Sequence, residues 1–196
     1  MRRTQEDRSN STKAALVAAA RELFATRGYA AVPADEIVRA AGVTRGALYH
    51  HYGDKQGLFR AVFEEVEREV TAEVDAAMAG APDLASGMVI ALGAFLDACG
   101  REEVRRISLT DAPAVLGWTE WRAIEAEHGL GLVTEVLSGA VEAGSLPPLP
   151  VDVLAQLVLS AVTEAALLIA NAEDPVATRA ASELALMAWF RGLTPG

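Results

Sequence analysis

Leu58, Val62, Val66, Val70 and Val74 place one branched apolar side chain at every fourth position. A helix gathers such a series onto one stripe, and the spacing predicts a helix over 55–79, about 37 Å long at 1.5 Å per residue. A second amphipathic segment runs over 12–27, with Leu16, Ala20, Leu23 and Phe24 on one face, Ser11 as N-cap and Gly28 just past its end. No stretch alternates with period two and no internal repeat is present. Gly and Pro fall between periodic segments, as at Gly80-Ala81-Pro82, Asp111-Ala112-Pro113 and Gly144–Pro150. The fold class read from this pattern is all-α. Further helices are expected at 34–41, 45–51, 84–99, 101–110, 117–128, 130–143, 151–172 and 176–191. Ile37, Ala40 and Ala41 are expected inward on the first of these, and Leu48 and Tyr52 along the second.

The 196 residues are 52% apolar and 22% charged, which excludes a chain that is mainly disordered. A single cysteine, Cys99, rules out an internal disulfide and reads as a small core hydrophobe. Ala14–Ala20 is the nearest approach to a signal sequence, and Arg21 and Glu22 interrupt it at once. A reducing, cytoplasmic setting is expected. Segment 151–172 has the length of a membrane span. However, Asp152, Gln156, Ser160, Glu164 and Asn171 lie on or near one stripe, and Glu164 is poorly placed for a bilayer centre. It reads as a helix buried between a core and a partner subunit.

The charge is unevenly distributed. Net charge is −10, yet residues 1–60 carry ten Lys/Arg against six Asp/Glu. A basic end on an acidic body attracts phosphate locally, because charges beyond about 8 Å are screened at physiological salt. Within that end, segment 33–52 reads as two short helices joined by the Gly42-Val43 turn, a helix-turn-helix whose second helix enters a DNA major groove. Thr44 caps that helix, and its hydroxyl and the free N–H groups there suit a phosphate. Arg45 reaches a guanine edge, and Gly46 lets the backbone approach the groove. Tyr49 lies four residues after Arg45 on the same face, and His50 four after Gly46. Lys55 opens the next helix, where its own helix dipole gives a cation nothing and a phosphate explains it. Asp54 caps that helix. His51 packs against the head, and Arg2, Arg3 and Arg8 read as a frayed tail rather than a minor-groove arm.

Phe24-Ala25-Thr26-Arg27-Gly28-Tyr29, the run Ile37–Tyr52, Asp54-Lys55 and Leu58 together resemble the tetracycline-repressor (TetR) family of bacterial transcription regulators. The resemblance covers about residues 12–66 closely. It implies an all-helical homodimer with a three-helix DNA-binding head, a variable ligand-binding body, and dimerisation through the last two long helices. Carried over by position, Thr44, Arg45, Gly46, Tyr49, His50 and Lys55 contact a double-stranded operator. One departure is Pro33, where the family commonly has Ser or Thr as a cap. Asp111–Trp118 resembles a stretch of some members but identifies no effector.

The domain organisation expected is an N-terminal arm at 1–10, a DNA-binding domain at 11–54, a connecting helix at 55–79, and an effector-binding and dimerisation domain at 80–196. Met88, Phe95, Trp118 and Trp121 are candidates for an effector pocket. His50 and His51 point about 100° apart and His128 stands alone, so no metal site is expected, and no cofactor. Gly129-Leu130-Gly131 lacks the third glycine and the preceding strand of a dinucleotide loop, and no nucleophile elbow is present. The function expected is a ligand-responsive repressor, not an enzyme. The alternatives are a DNA-binding factor without an effector, an activator, or, less favoured, an enzyme with its pocket in the helical body. The acidic body hints at a neutral or cationic effector.

Overall fold

A computed structural model describes residues 5–193, and no strand occurs among the described residues. The helices are α1 (Gln5–Arg27), α2 (Ala34–Ala40), α3 (Arg45–Tyr52), α4 (Lys55–Met78), α5 (Leu84–Gly100), α6 (Glu102–Val104), α7 (Ala112–Leu116), α8 (Trp118–Glu142), α9 (Val151–Ala170) and α10 (Pro175–Leu193). A π-helical segment, Arg105–Asp111, lies between α6 and α7. They form two compact units. The head comprises the chain up to Val66 together with Glu102–Trp121. The body comprises Glu67–Arg101 and the chain from Arg122 onward.

The head core follows from the apolar stripes. Leu16, Ala20 and Phe24 of α1, Ile37 of α2, Leu48 of α3, and Leu58, Phe59, Val62 and Phe63 of α4 are all fully buried. Each large side chain removed from water contributes roughly 1.5–3 kcal/mol. The rings of Phe24, Tyr29 and Phe59 meet in tilted and edge-on contacts with centroids 5.1–5.6 Å apart. The segment 102–121 completes this unit with buried Val104, Ile107, Ala112 and Trp121. It is also pinned by polar contacts. Asp111 accepts the Tyr29 backbone N–H at 2.7 Å, and Arg21 reaches both Glu65 (3.2 Å) and Glu103 (2.6 Å). Gln56 donates to the Val115 carbonyl, and Arg60 pairs with Glu120.

The chain ends its helices as local chemistry dictates. Thr44 Oγ1 accepts from the Ala47 N–H at 3.3 Å, and Asp54 Oδ1 from the Gly57 N–H at 2.7 Å. Gly42 adopts φ +66° in the turn before α3, a conformation costly to any residue with a Cβ. Gly57 is required for a different reason: a Cβ there would lie 2.0 Å from the Tyr52 carbonyl oxygen. Pro33 starts α2 with no side-chain cap. Asp35 and Glu36 in the first turn oppose the exposed N–H dipoles instead, and Glu36 pairs with Arg27.

In the body, α9 packs on α5 and α10. α9 is long and apolar enough to cross a membrane; here it supplies buried Leu154, Ala155, Val158, Leu159, Ala165 and Ala166 to the body core.

Several boundaries differ from the sequence reading. α1 begins at Gln5, so residues 5–10 are helical rather than part of an arm, and Ser11 lies inside the helix instead of capping it. Arg2 and Arg3 lie outside the described residues. On α2 Val38 is buried beside Ile37 and Ala40 is exposed, so the inward face lies about one residue position round from the expected one. Asp111-Ala112-Pro113 is no break: Pro113 falls in the first turn of α7, where its missing N–H costs nothing. Gly129 does not split α8. A Cβ there would come within 3.1 Å of Leu159 Cδ1, so the glycine serves close packing against α9.

Candidate nucleic-acid interface and body cavity

α3 is eight residues long and has two distinct sides. Leu48 is fully buried in the head, whereas Thr44, Arg45, Gly46, Tyr49 and His50 are all exposed. The Arg45 guanidinium donates to the Tyr49 hydroxyl at 3.1 Å and pairs with Asp35 of α2 at 3.1 Å. That hydrogen bond and the Asp35 carboxylate both hold the guanidinium charged. Both partners of the ion pair are 59% exposed, so it holds the side chain in place at little cost to exchange for a base edge. Gly46 opens the space beside Thr44: a Cβ there would meet only Thr44 Oγ1, at 3.9 Å. Thr44 spends its oxygen on the cap and keeps its O–H as a donor. Arg45, Gly46, Tyr49 and His50, with the first free N–H groups of α3, therefore form one exposed donor-rich face.

Lys55 is placed differently. Its ammonium donates to the Tyr29 carbonyl at 2.7 Å and lies 3.8 Å from the centre of the Tyr29 ring. Burial pushes its pKa down, opposed by Asp111. It ties the start of α4 to the turn after α1, and only its remaining N–H bonds are left for a phosphate. His51 is half-buried, its ring 4.9 Å from that of His50, and burial pushes its pKa down.

The body contains a cavity of about 130 Å³. α4 supplies Glu67, Thr71 and Met78, α5 supplies Met88 and Phe95, and α8, α9 and α10 close it. Its walls are apolar apart from Glu67, Thr71, Glu125 and Thr163. Glu125 is 7% exposed; Arg122 donates to its Oε2 at 2.7 Å, and Thr163 hydrogen-bonds the same carboxyl. Arg122 also donates to Ser160 Oγ at 2.9 Å. Burial pushes the Glu125 pKa up, and Arg122 and Thr163 pull it back. Cys99 is buried, and burial with the charges of Glu67 and Glu125 pushes its thiol up, away from the reactive thiolate.

Residues 16–62 match the family described as bacterial regulatory proteins, tetR family, and residues 85–193 match the tetracyclin repressor-like C-terminal domain. The Tn10 transposon TetC protein of Escherichia coli is 31% identical over 156 residues, covering 78% of this chain and 77% of TetC. The chain belongs to the TetR family. A TetR-family transcriptional regulator from Pectobacterium atrosepticum, solved as a crystal structure, superposes with a TM-score of 0.86 at 34% identity, covering 99% of each chain. RolR, solved in complex with resorcinol, shares the fold at a TM-score of 0.76 and 18% identity, covering 94% of this chain and 90% of RolR. The protein is a transcriptional regulator, as its family are, and not an enzyme.

Against the TetR pattern, α3 brings Thr44, Arg45, Gly46, Tyr49 and His50 together, and Lys55 stands apart at the start of α4. Of the four effector-pocket candidates, Met88 and Phe95 line the cavity. The two tryptophans do not. Trp121 is fully buried in the head core, and Trp118 is 63% exposed with its ring against it, 5.0 Å between centroids. The first turn of α8 packs with the head, which takes both rings out of the body. The cavity residues missed from sequence, Glu67, Glu125 and Thr163, had little to betray them. Arg122 and Glu125 are three apart, a spacing shared by ordinary surface pairs on a helix. The usable signal was Glu67, Thr71 and Met78, a mixed set beside the apolar stripe on α4.

Proposed function

We propose that this TetR-family regulator is a repressor. It binds an inverted-repeat operator as a homodimer and leaves the DNA when a small molecule fills the body cavity. The observation that carries the reading is the division of α3: Leu48 anchors it in the head while Arg45, Gly46, Tyr49 and His50 face outward from its first two turns. Phosphates are met by the Thr44 hydroxyl, the α3 N-terminus and the spare protons of Lys55. Arg45 reads a base edge.

A dimer is supported by α9 and α10. Val153, Leu157 and Leu168 on α9 and Val176 and Leu184 on α10 are large, apolar and more than half exposed, and a second copy of the same pair covers them. Two-fold symmetry makes the operator a palindrome, with recognition helices about 34–36 Å apart or at another spacing fixed by the dimer. The effector acts by population shift. It favours a dimer whose head spacing no longer matches the operator, and its leverage equals its differential affinity for the two states. RolR, with resorcinol bound, illustrates a small aromatic ligand on this fold. The protein works in the cytoplasm, where the operator is.

The test is selection of genomic DNA fragments by the purified protein at about 150 mM salt. Recovery of an inverted repeat supports the reading; diffuse, strongly salt-sensitive retention overturns it. Loss of the recovered complex on adding one member of a metabolite panel identifies the effector, and a panel with no such member overturns the ligand-responsive part.

A further inference from the structure

The body cavity is small, and its charged lining groups are all of one sign. An apolar cavity of roughly 150 Å³ accommodates benzene, so about 130 Å³ suits a single ring or a molecule of similar bulk. Met88, Phe95 and Leu132 are among the apolar walls that such a ring would touch. The charged side chains that line it are two carboxylates, Glu67 and Glu125, and among the described residues no Lys, Arg or His lines it. The other polar lining groups are the hydroxyls of Thr71 and Thr163.

The cation that compensates Glu125, Arg122, is not among the lining residues. It holds Oε2 at 2.7 Å and turns another N–H to Ser160. Thr163, 3% exposed, is committed to the same carboxyl. What Glu125 offers a guest is the remaining acceptor capacity of its buried carboxyl. A guest that donates an O–H or N–H satisfies it. A guest carrying a carboxylate must bring a further negative charge into a poorly solvated space whose charged lining groups are Glu67 and Glu125. A guest with no donor leaves the remaining lone pairs of the Glu125 carboxyl unused.

We infer that the effector is a compact, non-anionic molecule, one ring in bulk, that donates a hydroxyl or amine hydrogen to Glu125 while its apolar body fills the space between α4, α5, α8 and α9. This rests on the reading of the cavity as the effector site.

The test uses full-length protein and three probes of similar bulk, phenol, anisole and benzoate, titrated calorimetrically at pH 7. Phenol donates, anisole cannot, and benzoate is ionised. Phenol is expected to bind at least about tenfold more tightly than either of the others. E125Q is expected to narrow the gap between phenol and benzoate. E67Q is expected to do so more weakly, and it keeps the charge argument testable if E125Q does not fold. Benzoate binding as tightly as phenol overturns the exclusion of anions, and anisole matching phenol overturns the donor. If none of the three binds while a panel member still releases operator, the ligand class fails and the effector reading stands. If no panel member releases operator either, both fail.

Discussion

The head and the body are built to opposite specifications. In the head nine apolar side chains of α1 to α4 are buried completely, three aromatic rings interlock, and almost every turn carries its own cap or glycine. In the body, packing stops short around a cavity, and the outer faces of α9 and α10 keep large apolar side chains in water. A surface that must present several donors to a duplex tolerates little error in the orientation of α3, so its supports are redundant. A unit that takes up a guest, as proposed for the body, gives up part of its packing density for volume.

The same substitution should therefore behave differently in the two units. Phe59→Ala removes a fully buried ring that touches Phe24 and Tyr29 and is expected to cost about 3–5 kcal/mol in denaturant unfolding. Phe95→Ala, whose ring faces the cavity and lacks partners on that side, should cost less than half as much. Equal losses would show that the body core is as tight as the head. Gly57→Ala forces a Cβ against the Tyr52 carbonyl and should cost about 1–3 kcal/mol as the turn between α3 and α4 opens. Arg45→Ala should leave thermal stability unchanged and cost about 1–3 kcal/mol of operator affinity, with relaxed preference at one base pair. Unchanged affinity would remove Arg45 from the groove.

Lys55→Ala separates two roles. Loss of the Tyr29 contacts should lower stability by about 1 kcal/mol, and loss of a phosphate contact should reduce the salt slope of binding by about 1. A stability loss with no change in slope assigns Lys55 to the fold alone. Gly129→Ala is the mildest change. Leu159 Cδ1 is the flexible end of a side chain, and the gain in helix propensity offsets the crowding, so stability should move by under about 0.5 kcal/mol.

Helix existence and the α3 motif were legible because both depend on spacing within a few turns. The every-four series on α4 led directly to five buried residues, and Thr44, Gly42 and Asp54 hold the turn positions their chemistry suits. The misreadings share a cause. Ser11 and Gly129 look like helix signals, but neighbours along and across the fold decide whether they act as such. Trp118 and Trp121 look like ligand-stacking rings. Their assignment to the head depends on the start of α8 packing with a segment sixty residues earlier, as in the Arg60–Glu120 pair, which no local pattern encodes. The carboxyl of Glu125 was hidden for the same reason, since an i,i+3 pair on a helix looks alike whether it faces solvent or a cavity.

The segment Glu102–Trp121 lies between two body helices in the chain but belongs to the head. The backbone thus passes between the units three times, at Val66, Arg101 and Trp121, rather than once. The DNA-reading part is not a detachable cassette. A fragment ending at Val66 would forfeit the Asp111 acceptor for Tyr29, the Glu103 partner of Arg21, and the cover supplied by Ile107 and Trp121. An exchange of DNA specificity between members of the family should transplant the later segment together with the first, or graft only the outward residues of α3 onto a head left whole.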